Sequence, residues 1–345
     1  MKVGTFFSGI GSPEQALLNL GIKHEIEFAC DIDKYARQTY LKNFNCKKMY
    51  EDITTLNMKD LSYVDLLVFG FPCQAFSMAG KRGGFEDTRG TLFYDALRYL
   101  KQHKPRYFIA ENVKGLISHD SGKTFQTIID CLALTVNTQM TLMPFDNLGY
   151  HIYYKVLNTK DYGIPQNRER IFIVGIRDNS DNNFRFPKEI PLILKLKDIL
   201  QDEYDTKYYL SEKMIAGIFK SNFRERKPID INKLSKCLKI GGDVPCFEVI
   251  SHSLYPRTGN PKQGGTGHLS KLDGTSYCLD TGNAQAIQKQ NKIRRLTPIE
   301  CERLQGFPDN HTEGVSDTQR YKQCGNSITV NVMEAIFKNL LNGYS

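Results

Sequence analysis

The chain is expected to fold as an α/β protein with a mostly parallel sheet covered by helices on both faces. Three observations carry that expectation. Short apolar runs recur through the first half: Val3 to Ser8, Glu25 to Cys30, Val64 to Phe69, Arg106 to Ala110, Ile152 to Leu157 and Arg170 to Ile176. Several are closed by Gly, Pro or Asp, as buried strands ending in tight loops are. Segments of helical periodicity lie between them, such as Asp33 to Phe44 with Tyr35, Ala36, Tyr40 and Leu41. The chain has 345 residues and 40% hydrophobic content, which suits one large domain with a smaller companion.

Each element follows from local signals. Val3 to Ser8 reads as the first strand and Gly9-Ile10-Gly11 as a loop. Ser12-Pro13-Glu14-Gln15 then opens a helix, with Ser12 as N-cap and Pro13 in the first turn. Residues 131–148 read as a polar insertion. Near Pro187 and Pro191 the pattern changes to short apolar pieces broken by Gly-rich stretches, predicting a loop-rich, strand-poor second domain. Ile328, Val332, Ile336 and Leu340 repeat every four residues and predict one amphipathic helix at the end.

Composition narrows the class. No apolar run reaches the length of a membrane span. The N-terminus runs straight into a strand-like segment without a signal-peptide layout, so a cytoplasmic protein is expected. The nine cysteines are scattered and form no C-x-x-C, which argues against a disulfide framework or a metal site. Of the net charge of +8, residues 191–297 carry 18 Lys and Arg against 11 Asp and Glu. Such a basic segment is the footprint of a polyanion partner, or a solvated lysine-rich surface.

Four places could carry chemistry. Cys73, in Gly70-Phe71-Pro72-Cys73-Gln74, follows the strand Val64 to Phe69, at the carboxyl edge where ligands gather on such sheets. Taken alone it is more often a small buried hydrophobe than a nucleophile. The turn Phe7-Ser8-Gly9-Ile10-Gly11-Ser12 joins a strand to a helix, and Asp31 ends the second strand, where a ribose-binding acid would stand. The glycine pattern is incomplete, so an ordinary turn with a capping Asp stays open. Glu111-Asn112-Val113 follows the strand Arg106 to Ala110 and would bring a carboxylate to the crevice of Cys73. Arg168 and Arg170, two apart on an extended segment, would share a face and suit a carboxylate or phosphate, or form an edge-strand ion pair.

These pieces occur in one order: Gly70-Phe71-Pro72-Cys73-Gln74, Glu111-Asn112-Val113, Gln166-Asn167-Arg168-Glu169-Arg170, Arg295-Leu296-Thr297-Pro298 through Gln305-Gly306-Phe307-Pro308, and Gln323-Cys324-Gly325-Asn326-Ser327. The ordered set resembles the DNA (cytosine-5)-methyltransferases, above all the compact bacterial and phage modification enzymes. The match spans residues 3–190 and 293–342.

The resemblance implies a Rossmann-like methyltransferase domain that uses S-adenosyl-L-methionine, with S-adenosyl-L-homocysteine as product and no metal. It implies a catalytic and cofactor-binding domain at 1–190, a target recognition domain at 191–297, a hinge segment at 298–325, and a C-terminal helix at 326–345 packing back on the catalytic domain. Cys73 would add to C6 of a flipped-out cytosine, Glu111 would hold N3, and Arg168 and Arg170 would steady O2 and a phosphate, Arg168 the closer to the base. The cofactor pocket would draw on Phe7, Ile10 and Ser12 from the first turn. Asp31, Ile32, Asp52 and Ile53 would come from the next two strand ends, with Gly70, Pro72, Leu92, Asn326 and Ser327 completing it. Lys81, Arg82 and Arg89, on a loop expected to close over the base, would meet DNA. So would Gln263, Thr266, His268, Cys278 and Leu279 in the recognition loops. Cys278-Leu279 stands where a Thr-Leu pair is usual, and Ile32 replaces a bulky aromatic.

The implied partner is double-stranded DNA, bound by a monomer, either beside a cognate restriction endonuclease that forms no stable complex with it or in a solitary or phage-borne modification system. A tRNA cytosine-5 methyltransferase of the same superfamily and a non-catalytic DNA-binding module are the alternatives.

Overall fold

The computed structural model describes residues 1–72, 92–140, 147–212, 215, 250–253, 269–271, 274–279, 281, 285–289 and 292–342. The apolar runs form the strands expected of them. The central sheet takes β1 (Lys2–Phe6), β2 (Glu25–Cys30), β3 (Met49–Tyr50), β4 (Leu66–Phe69) and β5 (Tyr107–Val113). It continues with β6 (Ala133–Val136), β7 (Gln139–Met140), β8 (Tyr150–Asn158) and, after the two-residue β9 (Gln166–Asn167), β10 (Glu169–Ile176). The strand order is β3-β2-β1-β4-β5-β10-β8-β6-β7. Neighbours from β3 to β5 pair in parallel, whereas β10 runs antiparallel to both β5 and β8.

That reversal positions the site. The end of β5 and the start of β10 meet at one edge, with Arg170 opposite Val113 and Phe172 opposite Glu111. Arg170 and Glu111 thus share a sheet face at the carboxyl edge of β1, β2, β4 and β5. β5 also runs three residues further than its apolar run suggested, because β10 supplies hydrogen-bond partners through Val113.

Helices cover both faces. On one side, α3 (Leu92–His103) and α4 (Lys123–Leu132) close a core containing Phe6, Phe28, Phe69, Tyr99, Phe108 and Tyr150. On the other, α1 (Ser12–Asn19) and the last helix, Val330–Leu340, share a core with Val3, Leu17, Ile109, Phe172 and Met333. The last helix carries the repeat seen in the sequence: Val332, Ile336 and Leu340 are buried.

Three local expectations are corrected. Ser12 is not the N-cap of α1. Gly11 takes that place in a left-handed conformation (φ 83°), and the Ser12 hydroxyl is spent on Ser327 instead. Part of the expected polar insertion, residues 133–140, is an antiparallel pair, β6 and β7, extending the sheet edge. The second segment is not strand-poor: β11 (Ile250–Ser253), β12 (Leu269–Lys271), β14 (Gln285–Lys289) and β15 (Lys292–Arg295) form an antiparallel sheet ordered β12-β11-β14-β15. Its strands are short and set in polar sequence, so each lacked the apolar length that marks a buried strand.

Candidate active site

The first wall is the turn after β1. Phe7, Gly9 and Gly11 all have positive φ (53°, 54° and 83°), folding the backbone tightly between β1 and α1. Ser8 N–H donates to the Cys30 carbonyl at 3.0 Å, pinning the turn to β2. Asp31 completes the pin: Oδ2 accepts from Gly9 N at 2.7 Å and Oδ1 from Asp33 N at 2.8 Å. Burial pushes the Asp31 carboxyl above its usual range, and these two N–H bonds draw it partway back. Gly11 has no alternative here, because a Cβ would overlap the Phe44 ring. We expect Gly11→Ala to cost about 2–4 kcal/mol, from the left-handed backbone plus forced repacking. Denaturant titration checks it, and a loss under 1 kcal/mol, roughly the scale of a tolerated swap, would refute it.

The turn borders a cleft enclosing about 380 Å³, part of it open to solvent. Phe7, Gly9, Gly70, Glu111, Asn326 and Ser327 are among the residues lining it. Ser12 joins that wall through its 2.7 Å hydroxyl contact with Ser327. The Ile10 carbonyl contacts His311 Nε2 at 2.8 Å, while the Ile10 side chain is buried in the core beside α1. Ile32 stands 77% exposed beside Asp31, an apolar side chain open to solvent. Asp52 caps the short turn Ile53–Thr55, accepting from Thr54 N and Oγ1, bonds that hold its carboxyl below the usual range. Ile53 is buried, Leu92 opens α3 half-buried, and Pro72 is exposed at the limit of the described chain.

Glu111 lies at the foot of the cleft. Its Oε1 sits 3.2 Å from Arg170 Nε. Burial pushes the carboxyl above its ordinary range, while the Arg170 and Arg168 charges pull it partway back. Gly70 makes room for it, since a Cβ there would stand 3.3 Å from Glu111 Oε2. Next to it Asn112 is buried, and its Nδ2 donates to the Phe71 carbonyl at 2.8 Å. This ties the segment leading to Cys73 to β5. The sequence pattern gave Asn112 no role, because a buried amide partner is invisible without the fold.

The two arginines differ. Arg168 is 3% exposed and its terminal nitrogens are fully spent. Nη1 donates to Cys278 Sγ and the Leu279 carbonyl, each at 3.2 Å. Nη2 donates to the Gly325 and Ser327 carbonyls at 3.1 and 2.7 Å. Only Nε lacks a partner among the described residues. Arg170 is less enclosed: besides Glu111, it contacts the Glu169 carbonyl at 2.8 Å and Cys278 Sγ at 3.8 Å.

The second segment docks beside these arginines. β13 (Ser276–Tyr277) pairs in parallel with β9. Gln166, fully buried, accepts from Leu279 N at 3.0 Å and donates to the Leu304 carbonyl at 2.7 Å. Leu279 is buried, so its side chain packs with Ile164, Leu296 and Leu304, whereas Cys278 is partly exposed. Cys73, Lys81, Arg82, Arg89, Gln263, Thr266 and His268 lie outside the described residues. Among the described residues no group of His, Cys, Asp or Glu could hold a metal ion, and no helix is long and apolar enough to cross a membrane.

Known proteins with the same organisation identify this arrangement. The family model of the C-5 cytosine-specific DNA methylases matches residues 1–342. The type II methyltransferase M.HpaII of Haemophilus parainfluenzae is 38% identical over 343 residues, covering 97% of this chain and 87% of that one. M.NlaX of Neisseria lactamica is 37% identical, covering 98% and 96%, and the orphan methyltransferase M.SPRI of Bacillus phage SPR 32%, covering 100% and 98%. Among solved structures, a Spodoptera frugiperda DNMT2 mutant superposes with a TM-score of 0.68 at 20% identity, over 99% of each chain, which supports the fold alone. With a family model that spans nearly all of it and relatives this similar, the chain belongs to the C-5 cytosine-specific DNA methylases.

Proposed function

We propose that the protein methylates C5 of a flipped-out cytosine within a specific duplex DNA sequence, through transient addition of Cys73 to C6. The observation that supports it most is the Glu111–Arg170 pair, 3.2 Å apart at the sheet edge where β4 leads through Phe71-Pro72 to Cys73. Cytosine C5 is a poor nucleophile. Thiolate addition at C6 makes it enamine-like and divides one difficult step into easier ones. Negative charge then develops over N3 and O2 of the ring. Burial favours the protonated form of the Glu111 carboxyl, the form that can donate a hydrogen bond to N3, and Arg170, with N–H protons to spare among the described residues, can meet O2. Loss of the C5 proton and expulsion of the Cys73 thiolate release the product base.

S-adenosylmethionine, when bound, supplies the methyl as an electrophilic sulfonium substituent and leaves as S-adenosylhomocysteine. The residues suit such a group. Asp31 would accept from ribose hydroxyls, exposed Ile32 would meet the adenine face, and Gly9, Gly70, Asn326 and Ser327 would border the rest.

A base within a duplex must leave the stack to reach this cleft. Lys81, Arg82 and Arg89 would contact phosphates around it, and residues 191–297, with their basic surplus, would read the target. Within that reading, 1–190 forms the catalytic domain, 298–325 the connection and 326–345 the returning helix. The type II names of the relatives suggest a modification role beside a separate endonuclease, and a monomer would perform it.

The test is incubation with methyl-labelled S-adenosylmethionine and either bacterial genomic DNA or bulk tRNA, followed by nucleoside separation. Labelled 5-methyldeoxycytidine is expected from DNA. Label appearing in tRNA instead, or in neither, would overturn the proposal.

A further inference from the structure

We propose that Arg168 is a positioning residue that couples the target-reading loop to the methyl-donor pocket, leaving Arg170 as the arginine that faces the base. The argument starts from proton counting. A guanidinium carries two N–H protons on each terminal nitrogen and one on Nε. In Arg168 all four terminal protons are taken, by Cys278 Sγ, Leu279 O, Gly325 O and Ser327 O. The side chain is also 97% enclosed and its remaining N–H, on Nε, is buried, so a cytosine could reach it only by displacing an acceptor or opening the packing around it. Among the described residues Arg170 keeps unspent terminal protons, and it lies against Glu111, the other residue assigned to the ring.

Arg168 joins two halves of the molecule. Two of its acceptors, Cys278 and Leu279, belong to the segment docked on β9, and the other two flank Asn326 on the cofactor wall. From there the chain of contacts continues: Ser327 Oγ meets Ser12 Oγ at 2.7 Å, in the turn pinned to Asp31. Its other end is fixed by Leu279 N on Gln166 Oε1 at 3.0 Å and Ser276 N on the Pro165 carbonyl at 2.6 Å. If the loop leaves this position, Arg168 loses two acceptors while still buried. A buried cation without acceptors is costly, so the guanidinium would shift and take the Gly325–Ser327 carbonyls with it. DNA that holds the loop in place thereby favours the formed cofactor wall. Linkage requires the reverse as well: a filled cofactor pocket strengthens DNA binding by the same factor.

The inference rests on the methyltransferase reading, but its test needs only binding. Isothermal titration calorimetry would measure S-adenosylhomocysteine affinity with the full chain alone and with saturating genomic duplex DNA. In the wild type, DNA should tighten binding by about 5-fold or more, within the usual range of coupling between sites. Arg168→Lys, which cannot span four acceptors, should bring that ratio to within roughly twofold of one. Arg170→Lys should keep the ratio and lose turnover at saturating cofactor and DNA.

No tightening in the wild type would overturn the proposal. So would an unchanged ratio in Arg168→Lys, or loss of coupling in Arg170→Lys alone. Should Arg168→Lys fail to fold by thermal denaturation, Ser12→Ala cuts the same chain at its far end and must lower the ratio, or the proposal falls. Failure of the methyltransferase reading would show separately, as wild-type protein that leaves no 5-methylcytosine in DNA.

Discussion

Replacing Cys73 by Ala is expected to lower methyl transfer by about 10⁴-fold or more, the scale on which enzymes respond to loss of a covalent nucleophile. Among the described residues no thiol lines the cleft. Of the described thiols, Cys30, Cys301 and Cys324 are buried, burial pushes those of Cys46 and Cys131 up to about 11, and that of Cys278 is engaged by Arg168 Nη1 at 3.2 Å. The fold should survive. The approach to Cys73 is anchored upstream by Phe71, which packs 5.2 Å from the Phe93 ring centroid and whose carbonyl accepts from Asn112. Two measurements check this together. Label transfer to DNA should vanish while the thermal midpoint stays within a few degrees, the shift roughly expected of a change under 1 kcal/mol. On duplex DNA containing 5-fluorocytosine, whose C5 bears no removable proton, the wild type should form a denaturant-resistant adduct and the variant none. Residual transfer near the wild-type rate would rule out Cys73 as the attacking group.

The second large effect belongs to Glu111. Glu111→Gln should lower turnover by about 10²–10⁴-fold, the usual contribution of a positioned proton donor. Its pH signature has a definite sign. Burial, the dominant influence, raises the folded-state value above the unfolded one despite Arg170 and Arg168. The stability contributed by the protonated carboxyl is therefore complete below the unfolded value and is lost as pH rises through the folded one. Gln does not titrate. The thermal midpoint of Glu111→Gln relative to wild type should thus climb as pH rises from the acid range toward neutrality and above, even as activity stays low. Parallel melting curves with no pH-dependent gap would refute the raised value. Wild-type turnover with Gln present would remove Glu111 from the chemistry.

Much of the catalytic half was legible because its strands are buried on both faces. Continuous runs such as Leu66–Phe69 and Tyr107–Ala110 can hardly be anything else when closed by Gly-Phe-Pro or followed by a polar motif. Direction was not legible. Nothing in Arg170 to Ile176 says that it runs against its neighbours, yet that reversal is what sets Arg170 beside Glu111. Ser12 misled because its local context matches an N-cap, while the partner that claims its hydroxyl lies at Ser327, 315 residues away. The arginine pair was visible as a pair on one face. Their unequal surroundings depend on carbonyls contributed by Leu279, Gly325 and Ser327, which no spacing rule brings together. Residues 191–297 betrayed their charge but not their sheet, whose strands are too short to show a run.

The last helix makes completion of the sheet a long-range event. Val330–Leu340 lies against α1 and closes the core beneath the first strand, and the segment just before it supplies Asn326 and Ser327 to the cleft. Positions 315 residues apart in the chain are therefore neighbours, as Ser12 and Ser327 are. Until that helix docks, the apolar underside of the sheet stays uncovered and the cleft lacks a wall, so the loop closure that finishes the core also finishes the site.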